Sequence, residues 1–462
     1  MELQLFTTES GRPLDWEVFQ QHPLGQLYLT IPFQKYADKI PYTAPETGRR
    51  PWFDLKGGIG LQVLKHYYGV SDEKLIDLLN ENKMMQYFCG INLGVGVRIR
   101  DEDVVSRWRA IIGRHLTDSE LLLDLQRVEA EHWREGMEEP LESLADATCY
   151  ESHVRYPTDA KLLWESLSYL YPQMKLISRY IGIPMLRSKY KELQKQYLSY
   201  ARRRKKTHKQ SRAIKKRLLY LLNKYLIYLP TLIAKMKQKQ AEGLVSCRLK
   251  SNFYGRLRTI KQVYKQQQLL YDRPDTKITD RIISLCKPYL RPIVRGKENK
   301  RVEFGMKVHE MQVDGINFIE HWSFSAFHEG IRMKQALWRH QYVFKQACRL
   351  FGADQIYATN ANRRYCAKQQ IQTCFVPKGR QPQDAILRKQ KAQMRKLIGK
   401  QRATQLEGSF GNKKNHYLLG RIKAKLLVTE MAWIFFGNLT ANAVKLAKRP
   451  NPPPTKTASA KS

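Results

Sequence analysis

Apolar residues in the first third of the chain recur at helical spacing. Trp52 to Tyr68 carries that period, and Ser71 is placed to cap a second helix running into Leu78 and Leu79. Asp101 opens another with Val104, Val105, Trp108 and Ile111, and Thr117-Asp118-Ser119-Glu120 reads as a capping box ahead of Leu121–Leu125. Together they predict an all-α N-terminal domain over residues 1–136. At Leu144 to Tyr150 the pattern turns to short, β-favouring residues, followed by a polar turn at Tyr156-Pro157-Thr158-Asp159. A helical insertion from about 160 to 290 follows, with one long helix predicted from Ser188 to Leu229.

Strand patterning resumes near Arg301. Val302–Val313 and Ile316–Phe324 flank Asp314-Gly315, a strong short hairpin signal. Leu337, Phe344, Cys348 and Phe351 then mark a helix. A strand at 353–358, a helix at 363–369, a strand at 371–376 and helices to Lys448 complete the order. Without the insertion this is three strands, helix, strand, helix, strand, helix, the order of a ribonuclease-H-like core. The predicted class is therefore α/β: a ribonuclease-H-like catalytic core over 137–448, interrupted after its first strand by a long helical insertion. Residues 449–462, rich in Pro, Lys and Ser, predict a disordered tail.

Charge adds a partner to this picture. The chain has 81 Lys+Arg against 42 Asp+Glu, a net of +39. Residues 1–150 hold 16 basic against 24 acidic residues, a net of −8, so the remainder carries +47. Residues 186–250 alone hold 20 basic residues against Glu192 and Glu242. An enzyme of small neutral substrates has no use for such self-repulsion, whereas a polyanion neutralises it. Nucleic acid is the first partner to expect and an anionic membrane surface the second. The seven cysteines are scattered singly, as in a reducing cytoplasm, and the first residues show no secretory pattern. Leu218–Ala234 and Leu426–Leu439 are apolar but interrupted or short, and read as buried helices rather than membrane spans.

Phosphoryl transfer on a nucleic acid calls for divalent cations held by a few carboxylates on rigid elements. Asp146 lies within the first predicted strand, among small neighbours, although a turn-satisfying aspartate would look the same. Asp354 lies at the fourth strand; its rival Asp314 is explained by the hairpin turn alone. Glu407, in Leu406-Glu407-Gly408-Ser409-Phe410-Gly411, begins a helix, where a carboxylate also serves the helix dipole.

The words around these three residues resemble a known family. Ala145-Asp146-Ala147-Thr148 with Glu151 and Arg155-Tyr156-Pro157-Thr158-Asp159 is similar to the first catalytic block of bacterial insertion-sequence DDE transposases. Gly296-Lys297, Glu303-Phe304-Gly305-Met306-Lys307-Val308 and Val313-Asp314-Gly315 resemble the central hairpin. Ala353-Asp354, Tyr357 and Asn362-Arg363-Arg364-Tyr365-Cys366 resemble the second block. Glu407-Gly408-Ser409-Phe410-Gly411, Lys414 and Arg421-Ile422-Lys423-Ala424-Lys425 resemble the third. The resemblance implies Asp146, Asp354 and Glu407 as ligands of two ions, Mg²⁺ or Mn²⁺, and a cytoplasmic, nucleoid-associated enzyme. Its double-stranded DNA partners would be the element's inverted repeats and a target. A homodimer or larger synaptic assembly follows, because two ends must be joined, and the N-terminal domain would bind ends or dimerise.

Expected DNA contacts are Arg202, Arg203, Arg204, Lys205 and Lys206 in the insertion, Arg363 and Arg364 with Asn360 and Asn362, and Lys413 and Lys414. One departure stands out. Many members have an Arg four residues before the glutamate and a Tyr three before that; here those positions are Ala403 and Lys400, with Arg402 one place off. That departure is what favours the alternative of a catalytically decayed transposase acting only as a DNA-binding protein. A structural RNA-binding protein would explain the basic stretch but not the acidic blocks.

Overall fold

The structure, a computed structural model, describes residues 16–44, 46–48, 51–246, 248–294, 302–379 and 383–449. Two compact units are formed, one from residues 1–153 with 305–462 and one from 154–304. Gly296-Lys297 and residues 450–462 lie outside the described residues.

The first unit opens with α1 (Trp16–Gln21), α2 (Pro23–Leu29), α3 (Phe33–Lys39), α4 (Leu55–Tyr68), α5 (Asp72–Glu81), α6 (Lys83–Phe88), α7 (Asp103–His115) and α8 (Ser119–Trp133). Ser71 caps α5 as its sequence predicts, accepting from Lys74 N–H. The cap of α8 is Asp118, one residue beyond the predicted Thr117. These helices do not close a core of their own. The last helix of the chain, Leu427–Ala447, is apolar on nearly every side and must be covered on nearly every side. It packs on α4 and α7, so Trp108 and Trp133 share one apolar cluster with Phe318 and Phe435. A boundary at 136 would cut through that cluster; the compact division falls instead at 153/154 and 304/305.

The sheet begins with β1 (Glu142–Glu151). β2 (Pro292–Val294) belongs to the second unit and pairs with the first residues of β3 (Val302–Val313). β4 (Ile316–Ser323), β5 (Leu350–Gly352) and β6 (Gln372–Thr373) complete it. The order through the first unit is β4-β3-β1-β5-β6, with β3 antiparallel to β1 and β4, and β5 parallel to β1 and β6. Asp314 and Gly315 link β3 to β4 with φ of 48° and 73°, the left-handed pair a two-residue hairpin turn requires. Arg449 donates to the Asp314 carboxylate and to the Gly136 carbonyl, so residue 449 of the predicted tail is anchored to this turn.

Alternation along β1 divides the layers. Ala145 packs with Met333, Leu337, Phe351 and Tyr357, under α13 (Met333–Phe344) and α14 (Asn360–Lys368). Leu144 faces the other way, onto Ile398, Leu406 and Phe410 of α15 (Ala385–Gln401) and α16 (Glu407–His416) and the turn between them. The chain ends in α17, the Leu427–Ala447 helix. The strand predicted at 353–358 is instead the three residues of β5. Asp354 stops it by accepting from Gln355 N–H and starting a 3-10 turn over Gln355–Tyr357. β6 is likewise shorter than predicted.

The second unit is helical: α9 (Asp159–Tyr180), α10 (Tyr190–Arg202), α11 (His208–Ala241) and α12 (Phe253–Asp272). Trp164, Tyr171, Tyr190 and Tyr197 stack between α9 and α10. The single helix predicted from Ser188 to Leu229 is interrupted. Thr207 and Gln210 form a capping box that starts α11 afresh, and Arg203–Lys206 lie in the connection. Adjacent cations repel along a helix, and the turn lets them splay into solvent. No described helix is long and apolar enough to cross a membrane.

Candidate active site

Parallel pairing brings the backbone of the first two acidic positions to neighbouring chain segments. Leu144 of β1 pairs with Gly352 of β5. Asp146 and Asp354 each follow by two residues, at the same level of adjoining chain segments. Gly352 is needed there: a Cβ on it would lie 2.5 Å from Leu144 Cδ2 and 2.6 Å from Ile398 Cγ2. Only glycine lets the end of α15 come down onto the sheet.

From α15 the chain passes through a π turn over Arg402–Leu406 into α16, which begins at Glu407. Arg402 Nη1 stands 3.1 Å from Asp146 Oδ2 and 3.0 Å from Glu407 Oε1. One guanidinium therefore joins the first and third acidic residues. Burial pushes the Asp146 carboxyl up to about 6, with nearby Glu329 and Glu407 adding to the rise. The Ala147 N–H and Arg402 work against that rise, and burial wins. The Tyr357 phenol on the far face is held well above its ordinary range, first by burial and then by Glu329, Asp146, Glu320 and Asp354.

The donors fit a hard divalent cation, being carboxylate oxygens on a strand, a strand end and a helix start. Asp146 is mostly withdrawn from water, and its ionised form needs a positive charge beside it. As the side chains stand, the described residues include no group of three Asp, Glu, His or Cys that could hold a metal ion. Arg402 supplies the positive charge between two of the three.

Of the expected DNA contacts, Arg202–Lys206 are exposed. Lys206 donates to the Arg203 carbonyl and lies over the Tyr200 ring. Lys414 reaches β1, its ammonium 2.9 Å from Thr148 Oγ1, two residues along from Asp146. Arg364 is exposed; Arg363 is half-buried, donates to the Ala358 carbonyl and lies over the Phe375 ring. Two expectations are corrected. Lys413 is buried, bonded to Glu310 and Asn438, because α16 turns this position onto β3 rather than outward. Asn362 is buried too, spending its amide on the Gly330 and Tyr357 carbonyls. Asp314 is a turn residue, as its Asp-Gly signal predicts.

The α15 helix is a basic element that the sequence patterns above do not single out. It carries Arg388, Lys389, Lys391, Arg395, Lys396 and Lys400 with no acidic residue, and nearly all of its first three turns are exposed. Its 3.6-residue period puts these cations on one half of the helix and Ile386, Leu387, Met394 and Leu397 on the other, a signal readable in advance.

Comparison with known proteins gives two family matches: a transposase domain (DUF772) over residues 13–110 and a transposase DDE domain over residues 351–442. The second includes Asp354, Arg402, Glu407 and Lys414. A protein of Rhizobium meliloti described as uncharacterized protein ORF8 in the nfe locus is 31% identical over 191 residues, which is 41% of this chain and 88% of that protein. No solved structure matches. A DDE domain implies a ribonuclease-H-like core, and the mixed sheet with helices on both faces accords with it. From the two domain matches, the chain belongs to the insertion-sequence DDE transposases.

Proposed function

We propose that this transposase cuts and joins DNA at the inverted repeats of its own insertion sequence, with Asp146, Asp354 and Glu407 holding two divalent ions, Mg²⁺ or Mn²⁺. The observation that carries the reading is the convergence of Asp146 and Glu407 on one positive charge, with Asp354 at the matching level beside β1. Bound there, the ions would activate a hydroxyl and stabilise the leaving oxygen.

The chain's own residues supply the rest. Asp146 would act from β1, Asp354 from the turn just after β5, and Glu407 from the start of α16. Lys414, steadied by Thr148, offers a DNA phosphate a cation two positions along β1 from Asp146. Further out, the cationic half of α15 and Arg364 extend the positive surface of this unit, and Arg202–Lys206 give the helical unit its own. Such contacts bind phosphates irrespective of sequence. A homodimer or larger assembly follows from the need to join two ends. The alternative of a decayed, purely DNA-binding protein rests on Ala403. Arg402 nonetheless touches Glu407, and that weakens the alternative.

Cleavage of a duplex carrying the flanking inverted repeats tests the reading, with Asp146→Ala, Asp354→Ala and Glu407→Ala beside the wild type in Mg²⁺. The wild type alone should cut, and all four should bind.

A further inference from the structure

In an α-helix, residues four apart lie on the same face. Between Arg402 and Glu407 the helix is wound more loosely: Glu407 N–H bonds to the Arg402 carbonyl, five residues back. The extra residue turns Ala403 away and brings Arg402 to the face that an arginine four residues before the glutamate would occupy. The turn is anchored on the sheet side, where Leu406 is buried and the Gln405 carbonyl accepts from the Gln312 amide at 3.4 Å. π turns of this kind concentrate at functional sites.

The guanidinium delivered by this turn is not spent on solvent. It is 19% exposed, and a single nitrogen, Nη1, lies within hydrogen-bond distance of one oxygen of Asp146 and one of Glu407. Those two oxygens belong to the proposed ion ligands. Arginine stays charged at every working pH, so this contact does not release by losing a proton. With both carboxylates ionised, it releases when another cation takes the oxygens.

We propose that Arg402 is a displaceable counter-cation: it holds Asp146 and Glu407 together and competes with the divalent ion for their oxygens. This inference rests on the metal-site reading above. Arg402 is then a positioning residue, with two opposed effects. It prevents two carboxylates from repelling each other across a partly dry site. It also weakens the first ion's binding by the cost of moving the guanidinium aside. Displaced, its planar fork is suited to a DNA phosphate, which would tie ion loading to the arrival of DNA.

The test is Mn²⁺ binding to the full chain without DNA, followed by electron paramagnetic resonance of free Mn²⁺, for the wild type, Arg402→Gln, Arg402→Ala and Asp146→Ala. Thermal denaturation in EDTA and in excess Mn²⁺ runs in parallel. Arg402→Gln keeps much of the side chain's bulk and is the safer variant for folding. It should bind Mn²⁺ about tenfold more tightly than the wild type, melt lower in EDTA, and gain more from Mn²⁺. Tight binding by Arg402→Gln with none detectable in the wild type would support the inference equally. Unchanged or weaker binding in a folded Arg402→Gln would overturn it, because a merely structural arginine can only weaken the site when removed. Should neither the wild type nor the variants bind Mn²⁺, the metal-site reading itself fails and the inference with it. If Asp146→Ala binds as the wild type does, the ions lie elsewhere and both are overturned.

Discussion

With a side chain only 17% exposed, Asp146 meets little water, and its charge depends on the cations the fold supplies. Its carboxyl keeps a proton in the folded chain to about 6, whereas the unfolded chain gives it up near 3.8. The fold therefore binds the extra proton between those values. That stabilising contribution is complete below the lower value and is lost as pH rises through the upper one. Asp146→Asn removes the titration. In EDTA, its stability advantage over the wild type should grow by about 1 kcal/mol from pH 5 to pH 8, as read by urea denaturation. A difference independent of pH would show that Asp146 is not held in its protonated form by burial. Lys413 shows the limit of reading residues one at a time. In sequence it is a lysine beside Lys414, and nothing local separates the two. Only the helix phase against β3 buries one against Glu310 and leaves the other beside Thr148.

At the scale of elements, the π turn accounts for a spacing that sequence alone scores as a defect. Deleting Ala403 should close it to an ordinary α-helical turn and place Arg402 four residues before the glutamate, with α15 and α16 unshifted. The melting temperature should then stay within a few degrees of the wild type and cleavage should persist. Deleting Gly411 instead turns Lys413 and Lys414 out of register, and both properties should be lost. Equal damage from the two deletions would contradict the assignment of the extra residue to this turn. The strand order was legible because alternation and an Asp-Gly turn are local signals. Three-residue β5 and two-residue β6 are too short to show a period, and Asp354 ends β5 through a hydrogen bond that composition does not announce. The break at Arg203–Thr207 was readable in principle, since Thr207 and Gln210 have capping-box spacing inside what otherwise reads as one helix.

Across the whole molecule, charge is unevenly divided. Residues 1–150 are net acidic and the remainder strongly basic, so the cations proposed to grip DNA lie beyond the N-terminal helices, on the stretch that also carries Asp354 and Glu407. Replacing Arg202, Arg203, Arg204, Lys205 and Lys206 by Gln should lower the slope of log affinity against log salt by ~0.9 for each phosphate no longer neutralised. Fluorescence anisotropy on duplex DNA between low and moderate salt reads this directly, and an unchanged slope would remove this segment from the interface. The three carboxylates proposed to cut DNA lie in the other unit, and the same variant should still cut once DNA is saturating. What the amino-acid pattern could not convey at this scale is that α17, far along the chain, completes the core of the N-terminal helices. Periodicity reports a buried face, not which distant helix covers it.

The most direct test of the account is end cleavage in Mg²⁺ on a duplex with the flanking inverted repeats, comparing the wild type with Asp146→Ala, Asp354→Ala and Glu407→Ala at matched DNA occupancy. The wild type should nick or break the repeat and no variant should, with DNA affinity retained throughout. Cleavage at the wild-type rate by any one of the three, or a wild type that binds the repeat and never cuts it, would contradict the assignment of these carboxylates as the catalytic centre.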